Sequence, residues 1–268
     1  MSTQDMSIRK ETQKLEWCAL GDSFTYLNDH QDETGFRVKK GYMTRVCERF
    51  ENLRVRNMGI NGSCTGDWID VPLPEADIYT VLLGTNDWHQ GIPLGNGECF
   101  DEKREGTILG NLGILLSHIR NTSPRAAVLV MNPVERGDFV YILDPTNHAH
   151  GSYAPDGGQM LSDIARGICT VCTERGIPVL DLHSRSGFAP ETAVKFKRVH
   201  TEEGSRDLPY PDYVGLPVDY ERDEYPYPPE AANLTYDGLH PTDEGNEVIA
   251  ALLAEEMKSL LGERLREK

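Results

Sequence analysis

Short runs of apolar residues alternate along the chain with longer stretches in which apolar positions recur every three or four residues. The short runs are Leu15–Leu20, Leu53–Met58, Asp77–Leu83, Ala126–Met131 and Ile177–Leu182. Near-continuous apolarity over so few residues predicts strands covered on both faces. Between and after them, helical spacing marks four stripes. Met43, Val46, Cys47 and Phe50 predict a first helix, and Ile108, Leu112, Leu115, Leu116 and Ile119 a second. Leu161, Ile164, Ala165, Ile168 and Cys172 predict a third; Val248, Ile249, Leu252, Leu253, Met257 and Leu260, after Pro241, predict the last. Strand and helix in alternation are the pattern of βαβ units, here a three-layer α/β/α domain on a five-stranded parallel sheet.

Two segments break this rhythm, 132–159 and 200–230. The second holds six of the sixteen prolines, five of the eleven tyrosines and nine carboxylates against two arginines. Proline removes the N–H that a helix interior or a central strand needs, so neither is expected there. So many tyrosines predict an ordered lid or rim rather than a disordered stretch. Residues 1–14 read as a polar tail. With no linker and no repeat, residues 1–268 read as one domain.

The 27 Lys and Arg stand against 43 Asp and Glu, a net charge of −16. An acidic surface repels phosphate backbones, so nucleic acid is not expected as a partner. Six cysteines in 268 residues are too few for a disulfide scaffold and read as reduced thiols. No apolar run approaches the roughly 20 residues that span a bilayer, and the first residues lack a signal-peptide core. The expectation is a cytoplasmic protein without a membrane span.

In a parallel α/β sheet, ligands sit at the carboxyl ends of the strands. Three blocks fall just past predicted strands: Gly21-Asp22-Ser23-Phe24-Thr25, Asn57-Met58-Gly59-Ile60-Asn61-Gly62 and Gly84-Thr85-Asn86-Asp87. A fourth, Asp237-Gly238-Leu239-His240-Pro241, precedes the last helix. A serine hydroxyl attacks a carbonyl when a base takes its proton, and an acid on the far imidazole nitrogen fixes the base's tautomer. Ser23, His240 and Asp237 are candidates for these roles. The backbone amides of Ser23 and Gly62 and the side-chain amide of Asn86 are candidate donors to the oxyanion of a tetrahedral intermediate.

These four blocks, in this order from Gly21 to Pro241, resemble the SGNH, or GDSL, hydrolase family. Phe24 stands where the family name has leucine. The resemblance implies a flavodoxin-like sheet of order 2-1-3-4-5, with Ser23 as nucleophile, His240 as base, Asp237 as its acid, and Gly62 and Asn86 in the oxyanion hole. It implies ester hydrolysis through an acyl-Ser23 intermediate, with no metal or organic cofactor. A short acyl ester on a carbohydrate is the expected substrate, because Trp88 and the tyrosines of 200–230 offer rings to stack on a sugar. Trp88 reads equally well as core packing. A lysophospholipase or acyl-thioesterase of the same fold is the alternative.

Other motifs point elsewhere and carry less. His148, His150 and His89 suggest a zinc site but lack further ligands at zinc-like spacing, so they read as surface-loop residues. Cys169 and Cys172 fall inside a predicted helix, and the pair reads as packing rather than a redox couple. The Gly-x-Ser-x-Gly elbow of α/β-hydrolases and the glycine-rich phosphate loops are absent. A flavodoxin-like binding module or a catalytically dead interaction protein would keep the fold, but neither has a use for Asp237 and His240.

Overall fold

Strand β1, Leu15–Gly21, is buried at six of its seven positions. Its alternate side chains face two separate cores, as the two-residue period of a strand requires. Leu15, Trp17 and Ala19 join one core, packed with Met43, Val46, Ile249, Leu253 and Met257. Cys18 and Leu20 join the other, with Ile108, Leu112, Leu115, Leu161, Ile164 and Ile168. The helices Tyr42–Arg49 and Asp243–Leu261 therefore cover one face, and Ile108–Thr122 and Leu161–Glu174 the other. Trp17, wholly inside, donates its indole N–H to Thr80 Oγ1 at 2.8 Å, so its polar edge is satisfied.

The computed structural model describes residues 14–141, 144–216, 222 and 227–268. Strands β2 (Leu53–Asn57), β3 (Ile78–Leu82) and β4 (Ala127–Met131) join β1 in the sheet. Strands β5 (Phe139–Tyr141) and β6 (Asp144–Ala149) form a hairpin, and β7 (Val179–Leu180) returns to the sheet edge. The sheet runs β2-β1-β3-β4-β7 with every pair parallel, which is the order that the resemblance implies. Strands β8 (Lys197–Thr201) and β9 (Gly204–Leu208) make a second hairpin.

All five sheet strands and all four helices lie where the apolar pattern predicts them, with ends moved by a few residues. The last strand contracts most, from Ile177–Leu182 to two residues, because Pro178 cannot donate to the ladder and Asp181 caps the short helix Leu182–Arg185. The segments expected to be irregular hold the first hairpin and most of the second, and both pair outside the main sheet. The expected tail lies outside the described residues except for Lys14, as does much of 217–226. In the described part of the second segment, Tyr213 and Tyr227 are buried with Val194 and Ala231 in a small core of their own. Rings of Tyr153, Tyr210, Tyr213 and Tyr227 follow one another at 5.8, 6.0 and 6.4 Å. Tyr213 and Tyr227 thus hold this arm together instead of facing a ligand. No helix among the described residues is long and apolar enough to cross a membrane.

Candidate active site

Connections leave β1 towards β2 on one side and β3 towards β4 on the other, so a crevice opens where the order reverses. Ser23 stands there as the first residue of the helix Ser23–Tyr26, capped by the Asp22 carboxylate, which accepts from Phe24 N at 3.0 Å. The 57–62 block lies alongside, with Ile60 N donating to Gly21 O at 2.9 Å. A Cβ at Gly59 would stand 2.2 Å from Tyr26 N, so only glycine permits this approach.

The fourth block brings Asp237 and His240 to the same place. Asp237 accepts at one oxygen from Leu239 N (3.0 Å) and His240 N (2.7 Å), and at the other from His240 Nδ1 at 2.6 Å. An ionised carboxylate only accepts, so Nδ1 carries the hydrogen and Nε2 is free to accept. Nε2 stands 2.8 Å from Ser23 Oγ. The whole chain is sheltered, Ser23, Asp237 and His240 being at most 4% exposed. Three rings enclose the imidazole: Phe139 meets it edge-on at 5.4 Å, and Phe24 and Tyr236 lie at 6.0 Å. Gly238, at φ +91°, is required here because a Cβ would fall 1.7 Å from Asp138 O.

Asn86 and Gly62 are coupled through Ser63. Asn86 Nδ2 donates to Ser63 O at 3.0 Å, and Ser63 Oγ reaches Gly21 O at 3.4 Å. Gly62 is exposed at φ +74°, with open space where a Cβ would be. Beneath them Asp87 accepts from Thr65 N (3.0 Å) and Thr65 Oγ1 (2.6 Å), and Asn111 Nδ2 donates to Thr65 Oγ1 at 3.1 Å. This buried network fixes the turn that carries Asn86. Burial pushes the carboxyl of Asp87 above its ordinary value; the same cause takes Asp22 to about 7, with His240 opposing it.

Trp88 presents no face to a ligand. It is fully buried, its Nε1 donates to Gln159 O at 2.8 Å, and the Arg136 guanidinium lies 4.6 Å over its ring. Core packing describes its place. His89 and His150 both approach Asp156, at 2.9 and 3.9 Å, while His148 stays on the exposed hairpin. Among the described residues no group of three or more His, Cys, Asp or Glu is placed to hold a metal ion. Cys172 is buried in its helix, and Cys169 accepts from Asn132 Nδ2 at 3.2 Å. Ser63, Phe139 and Arg136 escape the sequence reading, and Asp87 appears there beside Asn86 without a role. Ser63 and Asp87 directly follow Gly62 and Asn86, which is a signal; Phe139 and Arg136 sit in a segment without periodicity.

The chain belongs to the GDSL-like lipase/acylhydrolase family, whose model matches residues 19–248. It is a hydrolase acting on ester bonds. Among solved structures, a possible lipase from Chitinophaga pinensis shares 43% identity at a TM-score of 0.88, over 92% of this chain and 99% of that one. A protein from Lactobacillus plantarum (22% identity, TM-score 0.56, 92% and 98% coverage) and an aryl esterase from M. smegmatis (16%, 0.51, 92% and 100%) share the fold. No curated protein matches the chain.

Proposed function

We propose that the protein is a serine esterase that cleaves a short acyl ester through an acyl-Ser23 intermediate. The observation that carries this is the unbroken line from Asp237 Oδ2 through both imidazole nitrogens to Ser23 Oγ, at 2.6 and 2.8 Å. His240 Nε2 takes the hydroxyl proton as Ser23 Oγ bonds to the substrate carbonyl, and the C=O electron pair moves onto oxygen. Asp237 stabilises the imidazolium without taking the proton. The amides of Ser23, Gly62 and Asn86 are the donors assigned to the oxyanion. When the intermediate collapses, the imidazolium gives its proton to the leaving alkoxide. Water then repeats the sequence on the acyl-enzyme, releases the acid and restores Ser23.

Close packing around the imidazole favours a short acyl group: Phe139, Phe24 and Tyr236 lie 5.4, 6.0 and 6.0 Å from it. The rim is aromatic and polar: Asn61 Nδ2 lies 3.4 Å from Tyr141 Oη, and Tyr26 Oη donates to Glu33 at 2.7 Å. Rings beside hydrogen-bonding groups suit a hydroxyl-rich leaving group such as a carbohydrate, a role that passes from Trp88 to Tyr26 and Tyr141.

The test is hydrolysis of p-nitrophenyl acetate and octanoate by the wild type, Ser23→Ala and His240→Ala. The acetate should be the better substrate, and each variant should lose about a thousandfold or more in kcat. Full activity in Ser23→Ala would overturn the mechanism. Preference for octanoate would replace the short-acyl reading with the lysophospholipase or thioesterase one.

A further inference from the structure

Arg136 is the buried residue whose chemistry the acyl-transfer chain leaves unused. It lies past β4 and is 1% exposed. A guanidinium carries five N–H donors and no acceptor. Here Nη1 reaches Thr85 Oγ1 at 3.4 Å, while Nε and Nη2 are buried with no acceptor among the described residues. The backbone is pinned, Arg136 N donating to Ser152 Oγ (3.1 Å) and Arg136 O accepting from Ser152 N (2.9 Å). The side chain is held in place with its donors unspent, which a role in hydrogen bonding does not explain. A buried charge without acceptors is costly unless opposite charges surround it.

Such charges are present. The carboxylates of Asp156, Asp237, Asp138 and Asp22 all favour the Arg136 cation, against burial, which lowers its pKa to about 10. The cation persists at neutral pH. Two of these carboxylates belong to the site: Asp237 bonds His240, and Asp22 caps the helix of Ser23 and acts through space on His240 and Asp87. The next residue, Gly137, donates to Gly238 O at 2.8 Å, which ties the Arg136 loop to the Asp237–His240 turn. Of the other polar neighbours, Tyr153 donates to the Asp138 carboxylate and Tyr227 to the Asp138 carbonyl, and His89 and His150 approach Asp156.

We propose that Arg136 is a positioning residue for the Ser23–His240–Asp237 chain, acting as a buried charge that favours ionised Asp22 and Asp237 and disfavours a second proton on the imidazole. This role rests on the acyl-enzyme reading above. The sign of its effect is the same at each group. Removing the cation makes a proton easier to bind at either carboxylate and at the imidazole, so activity should fail at a higher pH on the acid side.

The experiment is the pH profile of kcat/KM for p-nitrophenyl acetate in the wild type, Arg136→Met and Arg136→Lys, with Arg136→Gln as a second neutral variant should the methionine protein not fold. Phosphonate labelling of wild-type Ser23 runs in parallel. The neutral variants should move the acid limb up by about half a pH unit or more, and the lysine variant should keep it near the wild type. A residue that only packs on Trp88 would lower the melting temperature in all variants and leave the limb in place. Coincident limbs in folded proteins, with Ser23 labelled in the wild type, overturn this role alone. Failure of the wild type to label at Ser23 overturns the acyl-enzyme reading and this role with it.

Discussion

His240 is nearly sealed from water, yet both its ring nitrogens have partners, and each partner comes from its own sequence block. Ser23, Asp237 and His240 are legible in the sequence because their short blocks, each common in turns by itself, fall in one order at the ends of predicted elements. Gly62 and Asn86 are legible for the same reason. Trp88, Tyr213 and Tyr227 are not, since an aromatic ring stacks equally well on a sugar or on another ring, and which it meets depends on residues far along the chain. Asp22 makes stability depend on pH. Its folded pKa of about 7, against 3.8 ordinarily, means that the native state holds this proton more tightly than the unfolded chain does. Stability from this group is therefore present at low pH and falls as pH rises from about 4 to 7. An asparagine in its place would stay neutral and could still accept from Phe24 N. The melting temperature of Asp22→Asn minus that of the wild type should increase across this window and level off above it. A difference independent of pH would contradict the buried-carboxyl account.

At the scale of elements, β1 and β3 were readable because burial on both faces leaves an apolar run that few other structures require. The β5–β6 and β8–β9 hairpins were not, because short pairs outside the sheet need no such run: no position of β9 is buried. The turn carrying Asp237 and His240 depends on the residue just before the first of these hairpins. Asp138 O fits against Gly238 only because no Cβ intervenes, and Tyr227 Oη donates to the same oxygen at 2.9 Å. Gly238→Ala should therefore displace the turn, lowering the melting temperature and reducing kcat by about tenfold or more. Gly62→Ala, strained at φ +74° but unobstructed, keeps its amide and should cost only about 1 kcal/mol in stability and less activity. Thermal melts and kcat of the two variants decide this; equal losses would show that φ alone, not the contact with Asp138, governs the turn.

Across the whole molecule, the sheet and helices set one crevice, and loops from distant parts of the chain close it. The Tyr213–Tyr227 core bonds through Tyr227 to Asp138, and Arg37 Nη1 donates to Tyr227 O at 3.1 Å, so this arm buttresses the crevice from the side of the His240 turn. Sequence periodicity reports which residues face a core, and so it revealed the layers. It does not report which loops meet, and so the arm's attachment and the burial of Arg136 appear only in the structure. In the proposed function this assembly makes Ser23 a nucleophile. The most direct measurement is intact mass and peptide mapping after treatment with a serine-reactive phosphonate, in the wild type and in His240→Ala. One adduct on Ser23 in the wild type, formed far more slowly in His240→Ala, is the predicted result; an unlabelled wild type, or a label on another residue, would contradict it.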